Sequence, residues 1–242
     1  VKCKNNRYTI SGTIPKRKDR YRLYLSIARP DNLFITDLQE KFQTAGIEVK
    51  NSNLGQLPET TWFHYPSDYL GDIVHSLNVR SDNLYAESVL RLLSLSAHEK
   101  GSAEKGIDII RKYWQNCEAD SLELFMYDGS GLARNNKVSA KYLNCVLKET
   151  ARDSLIGEYF VQTLPLAGKE GSVATIMKHG ELPGELRLKS GSMSDVHAYA
   201  GYYTTPQNRY AIVVMINNYT CTRAQLKQKI STLLTQVLSK KE

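Results

Sequence analysis

Several absences narrow what this chain of 242 residues can be. No apolar run approaches the roughly 20 residues that cross a bilayer, so no transmembrane segment is expected. The histidines at 64, 75, 98, 179 and 197 show no H-E-x-x-H or other ligand spacing, and they are expected to be structural or surface residues. Cys3, Cys117, Cys145 and Cys221 have no C-x-x-C spacing, which argues against a zinc site. Their even number leaves open both two disulfides and four buried thiols. No glycine-rich loop precedes a helix in a Walker or dinucleotide pattern, so nucleotide binding has no support; with the His and Cys spacings, no cofactor or metal is expected. Internal repeats and low-complexity tracts are also missing. The chain opens on Val1-Lys2-Cys3, with no initiator Met and no signal peptide, and is expected to be a part cut from a longer protein.

The charge is lopsided but unfocused. With 32 basic and 25 acidic residues the net charge is +7, and the only basic clusters are Lys16-Arg17-Lys18 and Lys240-Lys241. No DNA- or RNA-binding motif accompanies them, so a solvated surface is expected rather than a nucleic-acid partner. Apolar residues at 41% and charged residues at 24% are enough for one large domain or two small ones with a real core.

Hydrophobic period gives the organisation. Residues 7–14 and 21–28 alternate like strands around a turn at Lys16–Asp19. Thr36-Asp37-Leu38-Gln39 has the form of a capping box, Leu38, Phe42 and Ala45 would form that helix's apolar stripe, and Gly46 would end it. Residues 50–62 are polar and irregular, a loop. From Pro66 the spacing of Tyr69, Leu70, Ile73, Val74 and Leu77 predicts a helix to Asn78. Leu84, Ala86, Val89, Leu90 and Leu93 predict a second, and further helices are expected over 102–114 and after Ser139. Glycine-rich turns fall at 128–131 and 168–171. Strands are then expected at 185–192, 196–204 and 210–217. The last is apolar on both faces, so both sides of its sheet should be covered. A closing helix carries Leu226, Ile230, Leu233, Leu234 and Val237. The fold class is α/β (α+β): an antiparallel sheet between helical layers.

Two tripeptides carry chemistry. Ser81-Asp82-Asn83 falls on the loop between two predicted helices, and Lys189-Ser190-Gly191 on a predicted strand. Each alone is weak. Ser81 has a bland explanation as a helix N-cap with Asp82 in the first turn, and Lys189–Gly191 as an exposed strand ending in a bulge. Their order and placement match two parts of the signature Ser-x-x-Lys, Ser-Asp-Asn, Lys-Thr-Gly of penicillin-interacting serine enzymes. The first part, which carries the nucleophile, is missing ahead of Ser81. Ser102-Ala103-Glu104-Lys105 has its form, but it follows Ser81, and Ser102 is expected to cap a helix.

Three longer blocks sharpen the match: Ser-Asp-Asn-Leu-Tyr-Ala-Glu at 81–87, Asp-Gly-Ser-Gly-Leu at 128–132 and Leu-Pro-Leu-Ala-Gly-Lys-Glu-Gly-Ser at 164–172. With them the chain resembles the D-alanyl-D-alanine carboxypeptidase/endopeptidase family, the class C low-molecular-weight penicillin-binding proteins, from about residue 25 to its end. Residues 1–24 resemble the last strands of the accessory region that this family inserts after its nucleophile, and 25–242 the C-terminal part of the peptidase domain. The resemblance implies a serine DD-peptidase/β-lactamase-like fold, incomplete at its N-terminus.

That resemblance also implies roles. Ser81 would relay a proton to the departing D-alanine nitrogen, and Asn83 would hold a substrate carbonyl. Lys189 would supply positive charge near the relay and the substrate carboxylate. Ser190, in place of the usual threonine, would bind the substrate carboxylate. Gly191 would leave room for substrate as an added strand, and the Ser192 N–H would serve the oxyanion. The implied partners are peptidoglycan stem peptides ending in D-Ala-D-Ala, with β-lactams as acylating ligands, in the periplasm or cell envelope. Without its nucleophile segment the chain alone should be inactive, and an uncovered sheet edge would invite self-association. The alternatives are a non-catalytic peptidoglycan-binding module and a β-lactamase-related hydrolase. Strict alternation puts Lys189 and Ser190 on opposite faces of their strand, in tension with a shared site.

Overall fold

The computed structural model describes residues 2–4, 7–13, 25–49, 64–97, 100–115, 124–177 and 182–240. It divides into two units, Val1–His64 and Tyr65–Glu242. In the first, β1 (Lys2–Lys4) pairs antiparallel with β2 (Arg7–Thr9), Cys3 opposite Tyr8. The strand expected over 7–14 thus stops at Thr9, and residues 25–28 are not strand. The charged turn and the loop expected at 50–62 lie outside the described residues. Helix α1 (Pro30–Thr44) begins at Pro30, not at Thr36. Proline suits the first helical position, where no N–H is needed. Thr36 therefore sits inside the helix and donates its hydroxyl back to the Asn32 carbonyl, 2.8 Å away. No residue of α1 is buried, and Leu38 stays 40% exposed. Period marks which side of a helix is apolar; it does not say whether anything covers that side.

The second unit carries the core. Helices α2 (Leu70–Arg80) and α3 (Asn83–Ser96) are separated by Ser81 and Asp82 alone. Tyr69 and Leu84, expected in the apolar stripes, stay exposed at 84% and 73%, and Leu90 is the apolar anchor of α3. Helix α4 (Ala103–Tyr113) starts where Ser102 accepts from the Lys105 N–H at 3.4 Å, and the Ser102 N–H itself donates to Ser94 Oγ. That serine is a cap, as its sequence context predicts. Short strands β3 (Leu124–Phe125) and β4 (Lys137–Val138) pair across the Asp128–Leu132 loop. Helix α5 (Ala140–Arg152) is capped by Ser139. Helix α6 (Gly157–Thr163) was not legible in the sequence, being too short to repeat a period.

Strands β5 (Glu185–Met193), β6 (Val196–Thr204) and β7 (Arg209–Asn217) form one antiparallel sheet in that order, with Lys189 opposite Ala200 and Ser190 opposite Tyr199. One face buries Leu186, Leu188, Tyr199 and Tyr203 against helix α7 (Arg223–Leu238). The other packs Tyr202, Ala200 and Val213 against Leu147 of α5 and Val161 of α6. Both faces are covered, as the apolar β7 requires. The α7 stripe is Leu226, Ile230, Leu234 and Leu238, while the expected Leu233 and Val237 are exposed. Each fully buried aliphatic side chain there contributes roughly 1.5–3 kcal/mol.

Candidate active site

The C-terminus of α2 sets the first side of the site. Ser81 ends the helix in the left-handed conformation, φ +55, where glycine is usual. The cap of α3 is Asp82, which accepts from the Tyr85 N–H at 3.1 Å, so the bland assignment of Ser81 as an N-cap is corrected by one residue. Relieved of capping, the Ser81 hydroxyl is exposed. Asn83 opens α3 and is likewise exposed, its amide without a hydrogen-bond partner among the described residues.

Strand β5 supplies the second side. Lys189 Nζ donates to Ser81 Oγ at 2.6 Å and to the Ser190 carbonyl at 2.9 Å. Burial lowers the lysine's pKa from its ordinary value, because desolvation penalises the ammonium. Among the described residues no carboxylate pairs with it. An ammonium so placed has the charge to attract an anion. Ser190 donates to Ser172 Oγ at 2.6 Å, from the other face of the strand. Gly191 and Ser192 continue the strand and are exposed, opposite Ala198 and His197.

The tension over Lys189 and Ser190 resolves in the cross-strand register. Lys189 shares a face with Ala200, on the side of α5 and α6, and Ser190 shares one with Tyr199, on the α7 side. Alternation therefore holds. Beyond the single bridge of Leu166 to Arg187, the outer edge of β5 carries no further strand among the described residues. Groups from both faces can thus converge on that open edge.

The longer sequence blocks are the frame around these residues. Glu87, one turn into α3, accepts from the Gly129 N–H (3.1 Å), the Ser130 N–H (3.0 Å) and the Ser130 hydroxyl (2.7 Å). A Cβ at Gly129 would lie 2.7 Å from the Ala86 carbonyl oxygen, so glycine lets that loop lie flat on α3. Buried Asn78 donates to Thr163 at 2.9 Å, tying the end of α2 to α6. In the third block, Glu170 accepts from the Leu166 N–H at 2.8 Å and shapes the turn that delivers Ser172. Sequence reasoning did not single out Ser172; the spacing of its block gave no sign that its hydroxyl meets Ser190.

Other candidates fall away. Nothing among the described residues links Ser102 to Lys189. His197 is buried with Nε2 at 2.9 Å from the Tyr199 hydroxyl, and its pKa is lowered by burial and by Lys227 and Arg223, the profile of a structural histidine. The described residues contain no group of three metal-ligating side chains. No described helix is long and apolar enough to cross a membrane. Cys145 is disulfide-bonded and Cys221 is a free thiol, so the cysteines do not behave alike.

The chain is similar to known proteins along most of its length. The model of the family described as D-Ala-D-Ala carboxypeptidase 3 (S13) matches residues 1–240. A D-alanyl-D-alanine carboxypeptidase DacB of Haemophilus influenzae is 26% identical over 239 residues, 95% of this chain and 49% of the relative. A D-alanyl-D-alanine carboxypeptidase of Actinomadura sp. (strain R39) is 24% identical over 88% of this chain and 42% of its own length. The chain thus spans about half the length of the curated relatives it matches. The crystal structure of penicillin binding protein 4 from Haemophilus influenzae with a β-lactam superposes at a TM-score of 0.71, with 24% identity, over 88% of this chain and 52% of that one. At that identity the likeness is one of fold: the antiparallel sheet flanked by helices is that of a penicillin-binding protein.

Proposed function

The chain belongs to the D-Ala-D-Ala carboxypeptidase 3 (S13) family, and from that premise we propose that it forms half of the active site of a serine-type peptidase cutting peptidoglycan peptides that end in D-Ala-D-Ala. The observation that carries this function is the contact between Lys189 and Ser81, at the open edge of β5, by an ammonium with no carboxylate partner among the described residues. Such a group suits a substrate carboxylate.

In this mechanism a serine outside the chain attacks the peptide carbonyl, and D-alanine departs with a proton relayed through Ser81. Water then cleaves the acyl-enzyme. Lys189 keeps Ser81 poised and, with Ser190, holds the terminal carboxylate. Asn83, its amide unspent, takes a substrate carbonyl, and the Ser192 N–H stabilises the oxyanion. Gly191 supports an extended peptide beside β5. Its φ is not left-handed, and a Cβ there would meet only Ala198 at 4.0 Å, so neither backbone nor packing requires glycine. The open space beside Gly191 leaves room for a substrate strand.

The nucleophile segment belongs to the rest of the protein, so the chain alone is inactive, and β-lactams acylate the whole protein but not this part. Residues 1–24 belong to an inserted accessory region and 25–242 to the peptidase domain. A periplasmic or cell-envelope location fits a disulfide-bonded Cys145. The test is release of D-alanine from an acyl-D-Ala-D-Ala peptide by the full-length protein, with Ser81→Ala lowering kcat/KM by about 10²-fold or more. Full-length protein that binds the peptide without cleaving it would point to a non-catalytic cell-wall binding module.

A further inference from the structure

We propose that Ser172, outside all three signature motifs, is a positioning residue for the substrate carboxylate, and that the Gly171–Ser172 turn fixes the spacing between the two sides of the site. This role rests on the peptidase reaction proposed above.

Two contacts of adjacent residues carry it. Gly171 adopts φ +49, and a Cβ there would lie 2.1 Å from the Val79 carbonyl oxygen in the last turn of α2, two residues before Ser81. Its neighbour Ser172 holds the Ser190 hydroxyl at 2.6 Å. One turn therefore touches the element that presents Ser81 and the strand that presents Lys189 and Ser190. The turn is itself anchored: the Gly168 N–H donates to the Val173 carbonyl at 3.1 Å, and Val173 is fully buried in the core beneath.

The hydroxyl pair has a chemical consequence. Without ligand, the Ser190 hydrogen can lie in the short hydrogen bond to Ser172, either hydroxyl of the pair being able to donate. When a carboxylate enters, Ser190 must turn that hydrogen to the anion, and its oxygen is left needing a donor. Ser172 can rotate its own hydrogen back to it, 2.6 Å away. An accepting hydroxyl is a better donor, so the relay strengthens the Ser190 bond to the anion. Ser172 touches no substrate atom in this scheme; it acts through Ser190.

The test uses the full-length protein and two peptides, one ending in D-Ala-D-Ala with a free carboxylate and one with the terminal carboxylate converted to an amide. Ser172→Ala should lower kcat/KM on the free acid about tenfold, mainly through KM, the effect expected for weakening one hydrogen bond to a charged group. It should leave the amide nearly unchanged, and Ser172→Thr should restore the preference for the acid. Equal losses on both peptides, or no loss on either, would overturn the role of Ser172 while leaving the peptidase assignment intact. A wild-type protein that cleaves neither peptide would remove the assignment itself, and Ser172's role with it.

Discussion

Lys189 Nζ and Ser81 Oγ lie 2.6 Å apart although 108 residues of sequence separate them. The contact joins the end of a helix to the open edge of a sheet. Each partner stands in a conformation or setting that costs stability: Ser81 is left-handed without being glycine, and Lys189 is desolvated without an ion-pair partner among the described residues. Strain of both kinds gathers at sites kept for function.

The backbone of Ser81 gives a first prediction. Glycine occupies the left-handed region without the penalty of a Cβ, so Ser81→Gly should be more stable than Ser81→Ala by about 1 kcal/mol. Both substitutions should abolish the proton relay equally. Urea unfolding of the two variants, beside peptide turnover in the full-length protein, checks it. A glycine variant no more stable than the alanine one would mean that the Ser81 conformation is not strained.

Lys189 titrates below the ordinary lysine value of 10.5 because burial disfavours its charge. Activity that needs the ammonium should therefore fall on an alkaline limb displaced below 10.5, and Lys189→Arg, if active, should lose that limb. Stability has the opposite sign. The unfolded chain binds this proton more tightly than the folded one, so the lysine's contribution to stability improves as pH rises from its lowered folded value towards 10.5. Lys189→Met should be more stable than wild type at neutral pH, with the gap closing at alkaline pH, as followed by thermal unfolding.

Glu87 accepts three hydrogen bonds from the 129–130 loop. Glu87→Ala should leave those donors unpaired and cost about 1–3 kcal/mol. Glu87→Gln keeps an acceptor oxygen and should cost less. Equal losses would show that shape rather than hydrogen bonding holds the loop.

Much of this was legible in the sequence, and what was not has physical causes. The three long strands, the terminal helix, the helix after Ser139 and the Ser102 cap follow from period and capping chemistry, both local. Thr36 imitates a cap and so misplaces the start of α1, while Pro30 is the stronger start. The roles given to Ser81, Asn83, Lys189, Ser190, Gly191 and Ser192 rest on family resemblance, not on spacing. Ser172 stayed hidden because its partner, Ser190, lies across a fold that no local rule specifies. The exposed Tyr69, Leu84 and Leu233 show the same limit from the other side: period cannot report which neighbours are present.

The sheet offers β7 as an outer strand with no neighbour beyond it among the described residues. Unpaired N–H and C=O groups on such an edge recruit another strand. The isolated chain should therefore self-associate as its concentration rises, and the full-length protein much less. Sedimentation velocity over a wide concentration range checks this; a strict monomer throughout would contradict it.

The most direct test is intact mass after incubation with a labelled penicillin, applied to the full-length protein and to this chain. A covalent adduct on the full-length protein and none on the chain is the predicted result, and it places the nucleophile outside residues 1–242. An adduct on the chain itself, removed by Ser81→Ala or Ser102→Ala, would contradict the account and make a serine of this half the nucleophile.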